Sequence, residues 1–294
     1  MIRFKKLNIF YLLFYLIGIS ATLILFSCSD LNKNDISQPQ EISVHGSGIL
    51  NKLSPNWHGN LVRSYNWDLK VCQHCHAADF SGGTTGASCL KCHTNAGGPE
   101  ACNTCHGDFK NIARIAPPRD INKDTSTTVL GVGAHTKHLY ETTLGNQVSC
   151  SNCHKVPQNY NSPGHIDSDL PAEVILSGQA TSHGASDASY NHADGTCANT
   201  YCHGNFTFYK DSTDINKQYI FTADKITGNS QTVIWNKVDA SQIKCGSCHG
   251  LPPTGHLQVP LKDCIGCHRG VVDENGNIID KTKHINGKID LLGE

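Results

Sequence analysis

Seven times the chain sets two cysteines a few residues apart and follows the second directly with a histidine. Six runs keep the spacing C-x-x-C-H: Cys72, Cys75 and His76; Cys89, Cys92 and His93; Cys102, Cys105 and His106; Cys150, Cys153 and His154; Cys245, Cys248 and His249; Cys264, Cys267 and His268. The seventh is stretched, with four residues between Cys197 and Cys202 before His203. C-x-x-C-H is the attachment signature of c-type haem. Two thiols add to the two vinyl groups of one porphyrin, and the adjoining imidazole reaches the iron as proximal ligand. The runs use fourteen of fifteen cysteines, so seven copies of haem c are the expected cofactor.

The fifteenth cysteine has its own explanation. Arg3, Lys5 and Lys6 precede an apolar run from Ile9 to Phe26, the pattern of an export signal. Leu25-Phe26-Ser27-Cys28 has the form of a bacterial lipobox, in which Cys28 is lipidated and residues 1–27 are removed. The alternative is an uncleaved anchor, because an apolar run of about 18 residues nearly reaches spanning length. Either way the chain is expected to be exported and membrane-held, as a lipoprotein at the periplasmic face or the outer-membrane surface. Residues 28–44, rich in Ser, Asn, Gln and Asp, read as a flexible tether. Net charge is −1, and losing the three basic leader residues takes it to −4. With no basic stripe, nucleic acid is not an expected partner.

Removing 27 residues from 294 leaves 267, about 38 per run. That is too little chain to build a hydrophobic core around each haem. Aromatics are 7%, Gly and Pro number 27 and 11, and no long stretch beyond the leader keeps a helical apolar period. The expected fold is therefore that of a multihaem cytochrome c: irregular and loop-rich, with short helices, a small β-hairpin and a core formed by haems. Run spacing divides it into an N-terminal trihaem module (45–115), a middle dihaem module (116–205), a hairpin insert (206–244) and a C-terminal dihaem module (245–294). The hairpin is expected from Gln218 to Ala223 and Gln231 to Val238 around Thr227-Gly-Asn-Ser230, and Ala172 to Leu176 reads as one more short strand. A short turn of helix is expected at each run.

Each iron needs a second axial ligand. Met1 is the only methionine, so His/Met ligation is excluded in the mature chain. Of 17 histidines, seven are proximal, which leaves His45, His58, His74, His135, His138, His165, His183, His192, His256 and His284. His45, His58, His165 and His256 have a glycine neighbour, which permits close approach to a flat cofactor. His135 and His138 stand three residues apart, so one short turn can serve two haems. His74 sits inside an attachment run, and His183 and His192 lie in a polar loop that ranks lowest.

The chain resembles the multihaem cytochromes with paired C-x4-C-H and C-x-x-C-H motifs found in Geobacter-like metal-reducing bacteria. The resemblance runs through Trp57-His58-Gly59, the segment 72–106, Gly131 to His135, Gly164 to Asp167, Tyr201 to Gly204, Cys248 to Pro253 and His284 to Gly287. It implies that His58, His135, His165, His256 and His284 are distal ligands, with His45 and His138 completing the set. It implies electron transfer, with other envelope redox proteins and extracellular metal oxides or chelates as partners.

Zinc is disfavoured because seven Cys2His sets each lack a fourth donor. A disulfide framework explains paired cysteines but not seven histidines in register. At the stretched run alone, a Cys197–Cys202 disulfide is the competing reading. Its Cys-His-Gly continuation, shared with Cys105 and Cys248, favours haem. Within the haem reading, a nitrite or hydroxylamine-type oxidoreductase needs an iron with an open face, and no run replaces its histidine. A non-enzymatic electron carrier fits better; a polymerising haem wire is the third alternative.

Overall fold

A computed structural model describes residues 44–116, 119–167 and 169–292. The leader, Cys28 and nearly all of the tether lie outside the described residues. Among the described residues, no helix is long and apolar enough to cross a membrane. The chain divides after Leu61 into two units. In the first, turns close through Asn51 N–H on Gly48 O and His58 N–H on Ile49 O, both at 2.9 Å.

Four short α-helices are present among the described residues: α1 (His58–Ser64), α2 (Lys70–His76), α3 (Cys102–Cys105) and α4 (His135–Leu139). None exceeds seven residues, as the missing helical period requires. Single 3₁₀ turns supply most of the remaining regular backbone. Five strands follow: β1 (Ser189–Asn191), β2 (Thr196–Ala198), β3 (Thr207–Tyr209), β4 (Lys225–Thr227) and β5 (Val233–Ile234). They form an antiparallel sheet β1-β2-β5 and a separate antiparallel pair β3-β4. Cys197 lies on the central strand, opposite Tyr190 on one side and Val233 on the other.

The expected hairpin across Thr227–Ser230 does not form. Gly228, Asn229 and Ser230 donate their N–H groups to Phe206 O (3.2 Å), Cys248 O (2.9 Å) and Gly204 O (3.1 Å). These donors bind two attachment runs instead of closing a turn on themselves, so β4 and β5 enter different sheets. Residues 215–220 form a 3₁₀ turn rather than a strand, started by the Asp214 carboxylate accepting from Asn216 N–H at 2.8 Å. The hairpin that does form is β1–β2. It is closed by a His-Ala-Asp-Gly loop, whose Asp194 accepts from Thr196 N–H at 3.0 Å. Residues 172–176 form no strand either. Ile175 N–H donates to Cys153 O (2.8 Å) and Ser177 N–H to Asn152 O (2.9 Å), strapping the segment to an attachment run.

Polypeptide alone supplies little core. Ile220, Phe221, Ile226 and Leu291 form the buried cluster, with Phe206, Phe208, Cys267 and Ile289 packed around it. The N–H of Leu292 donates to Cys267 O, which ties this cluster to the last attachment run.

Candidate haem centres

Local backbone draws the two cysteines and the histidine of most runs into one turn. In α2 the residues Cys72, Cys75 and His76 share a helical face through their i, i+3, i+4 spacing. Elsewhere the histidine N–H returns to the carbonyl of the first cysteine: His93 to Cys89 (2.9 Å), His154 to Cys150 (2.9 Å) and His268 to Cys264 (2.9 Å). Ser88 and Ser149 start two of these turns by accepting from the N–H groups of Leu90 and Ser151. The run at Cys245 departs from expectation and forms no helical turn. Its carbonyls at Gly246 and Ser247 instead accept from Asn229 Nδ2, at 3.2 and 3.1 Å.

The stretched run owes its extra residues to geometry. Cys197 belongs to β2, whereas Cys202 and His203 belong to the 3₁₀ turn Tyr201–His203. Asn199 makes the corner in the left-handed region (φ 56°), with its amide donating to Asp187 at 2.8 Å and its side-chain oxygen accepting from Ser230. Gly204 then passes so near the next run that a Cβ there would lie 2.1 Å from Cys248 O. Only glycine fits, since φ is also +94°.

Four proximal histidines face a histidine from outside the runs. Ring centres are 6.3 Å apart for His135 and His154, 6.2 Å for His256 and His268, 6.1 Å for His138 and His203, and 6.3 Å for His249 and His284. An imidazole nitrogen sits about 2 Å from a metal it ligates and about 1 Å from its ring centre. Two imidazoles on opposite sides of one ion therefore hold their centres about 6 Å apart, and the four pairs meet that requirement. Each pair supplies two imidazoles at the spacing of two axial ligands, whereas zinc demands four convergent donors. His165 approaches His106: burial lowers the His106 pKa most, and the charge of His165 lowers it further.

The other ring nitrogen is tied down in most of these rings, His203 being an exception whose Nδ1 is buried without a hydrogen-bond partner among the described residues. Nδ1 donates to a backbone carbonyl in His106 (Ile115), His135 (Val132), His138 (Ala134), His154 (Glu173) and His165 (Tyr160). It does the same in His249 (Gly250), His256 (Leu257), His268 (Asp290), His284 (Leu144), His76 (Ala87) and His58 (Ile49). A carbonyl can only accept, so the proton stays on Nδ1 and the Nε2 lone pair is left for a metal. Burial drives the pKa of His135 and His203 down to about 4, which keeps both rings in the neutral, ligating form at neutral pH.

The remaining histidines are placed differently. His183 packs on Tyr201 (5.2 Å) and Phe208 (4.7 Å), and His192 stands edge-on to Tyr190 (4.9 Å). His74 lies on α2. His45 and His58 belong to the first unit. None of the fourteen described cysteines is bonded to another, Cys197 and Cys202 included. Sequence reasoning missed Trp235, whose ring touches both His135 and His138 and which no spacing rule marks.

Paired thiols, an adjoining imidazole and a second imidazole across from it fit c-type haem, and repetition of the set suggests a multihaem c-type cytochrome. Residues 196–249 match the Geobacter CxxxxCH...CXXCH motif, the family that the sequence resembles. The matched segment holds the stretched run ending at His203 and the regular run ending at His249. No curated protein and no solved structure matches the chain.

Proposed function

We propose that the chain is a heptahaem c-type cytochrome that carries electrons through bis-histidine haems and is not itself an enzyme. The observation that carries this reading is the set of four opposed imidazole pairs, each joining a run histidine to one from elsewhere in the chain. Haem bound at these positions supplies one-electron exchange at iron. The paired cysteines would hold each porphyrin by thioethers. His135, His138, His256 and His284 would close the second face of four irons, His165 that of the His106 iron, and His45 and His58 complete the supply of seven. Apolar side chains beside these positions are exposed on the polypeptide, among them Leu90, Ile115, Val156, Ile175, Leu251 and Leu257. A porphyrin edge gives such residues a surface to cover.

An iron with imidazole on both faces has no room for a small substrate, so electrons would pass at exposed haem edges. A lipidated Cys28 and the segment after it would hold this carrier at the periplasmic face or outer surface of the envelope. There it would relay electrons from envelope redox proteins to extracellular acceptors such as metal oxides or ferric chelates. Pyridine haemochrome titration with intact mass tests the first part: seven haems per lipidated chain are expected, and zero haem with stoichiometric zinc defeats the reading. Dithionite-reduced protein should be reoxidised rapidly by several soluble ferric chelates. Slow reoxidation by all of them, with fast saturable reaction with nitrite or hydroxylamine, would replace the carrier by an enzyme.

A further inference from the structure

Trp235 follows strand β5 and lies against two axial candidates at once. Its ring centre is 4.7 Å from His135 at an interplanar angle of 89°, and 5.4 Å from His138 at 29°. One indole is thus edge-on to the first imidazole and stacked on the second. Its own position is fixed from three sides. The indole Nε1–H donates to Leu130 O at 2.9 Å, and the backbone N–H donates to Gly195 O at 2.7 Å. Gly133 packs so closely that a Cβ there would lie 1.9 Å from the indole nitrogen. The two imidazoles are one helical turn apart on α4, yet their partners meet them differently. His135 and His154 are near-parallel, at 19°, whereas His138 and His203 cross at 67°.

We propose that Trp235 is a positioning residue that fixes the planes of His135 and His138 and so gives the two irons different axial geometries. The inference deepens the function proposed above and rests on those two histidines being axial ligands. Each axial imidazole donates π-density into the iron d orbital perpendicular to its own plane. Parallel planes act on the same orbital and split the pair strongly, whereas crossed planes leave the pair nearly degenerate. Groups packed against a ligating histidine set its orientation and tune the metal. Here a single side chain would tune two metals.

Electron paramagnetic resonance of the oxidised holoprotein, with a redox titration, tests this in Trp235→Leu, Trp235→Phe and Gly133→Ala. The Gly133→Ala variant displaces the indole without removing it. Wild type should show both a rhombic and a strongly axial low-spin ferric signal. Trp235→Leu should move part of each signal and shift the midpoint potentials of two haems, with haem content unchanged and every iron low-spin. Trp235→Phe, which keeps an aromatic plane but loses the N–H, should restore the spectrum in part, and Gly133→Ala should disturb it. Unchanged spectra and potentials in Trp235→Leu and Gly133→Ala overturn the proposal. If Trp235→Leu fails to accumulate, unchanged spectra in Trp235→Phe and Gly133→Ala overturn it equally. His135→Ala separates the two levels: if it exposes no high-spin iron, the axial assignment beneath the proposal is wrong, whatever Trp235 does.

Discussion

Single residues divide the histidines into two kinds that composition alone cannot tell apart. Rings whose Nδ1 is held by a carbonyl present Nε2 outward, as at His138 with Ala134 O at 3.0 Å. His183, packed on Tyr201 and Phe208, has no such carbonyl among the described residues. Replacing one of each kind should expose the difference. His138→Ala is expected to create one high-spin ferric centre that binds carbon monoxide when reduced. His183→Ala should leave every iron low-spin, as visible and paramagnetic resonance spectra will report. Gly204 makes a separate prediction, because its φ of +94° and its 2.1 Å clearance to Cys248 O leave no room for a Cβ. Gly204→Ala should destabilise the holoprotein by about 1–3 kcal/mol, read from denaturant unfolding.

At the scale of elements, attachment runs were legible in the sequence and the strands between them were not. The runs carry their own chemistry at fixed spacing, and the absence of a helical period correctly foretold helices of a turn or two. The hairpin failed for a physical reason. Residues 227–230 have turn composition, but their N–H groups are taken by Phe206, Cys248 and Gly204, partners remote in sequence that no local pattern reveals. The Asp194-Gly195 signal between Tyr190 and Thr196 was the better local cue, and it does close β1–β2. Imidazole planes are further from the sequence still, because each is set by packing between elements. They make a prediction: His256 with His268 at 28° should join the rhombic class of ferric signals, and His249 with His284 at 69° the strongly axial class. Spectral simulation of the oxidised holoprotein, with His256→Ala and His284→Ala to assign the components, checks it.

For the whole molecule, the notable quantity is how little apolar contact the polypeptide makes with itself. The buried cluster has four members, while large apolar residues beside the runs stay exposed. A chain of the proposed kind would lean on covalent and metal bonds in place of a large core. Polypeptide produced without haem attachment should therefore lack a cooperative thermal transition and be cut rapidly by protease, whereas the loaded protein resists. Circular dichroism melts and limited proteolysis of the two forms decide this. A cooperative, resistant unloaded chain would show that the protein core suffices alone.

On the proposed reading of an exported, haem-loaded chain, the anchoring of His284 bears on the order in which the chain would mature. That ring faces His249, which precedes it by 35 residues, yet its Nδ1 is held by Leu144, 140 residues earlier. Nearby, Gly287 N–H donates to Tyr201 and Lys281 to Thr142. His135 and His138, by contrast, precede in the sequence the runs they face. On that reading the iron held at His249 would wait for its second imidazole until the segment bearing His284 emerges and folds back on the middle of the chain. Trapping nascent chains with carbon monoxide should mark that centre for longer than those at His154 and His203, and the last stretch of polypeptide then acts as the closing step of assembly.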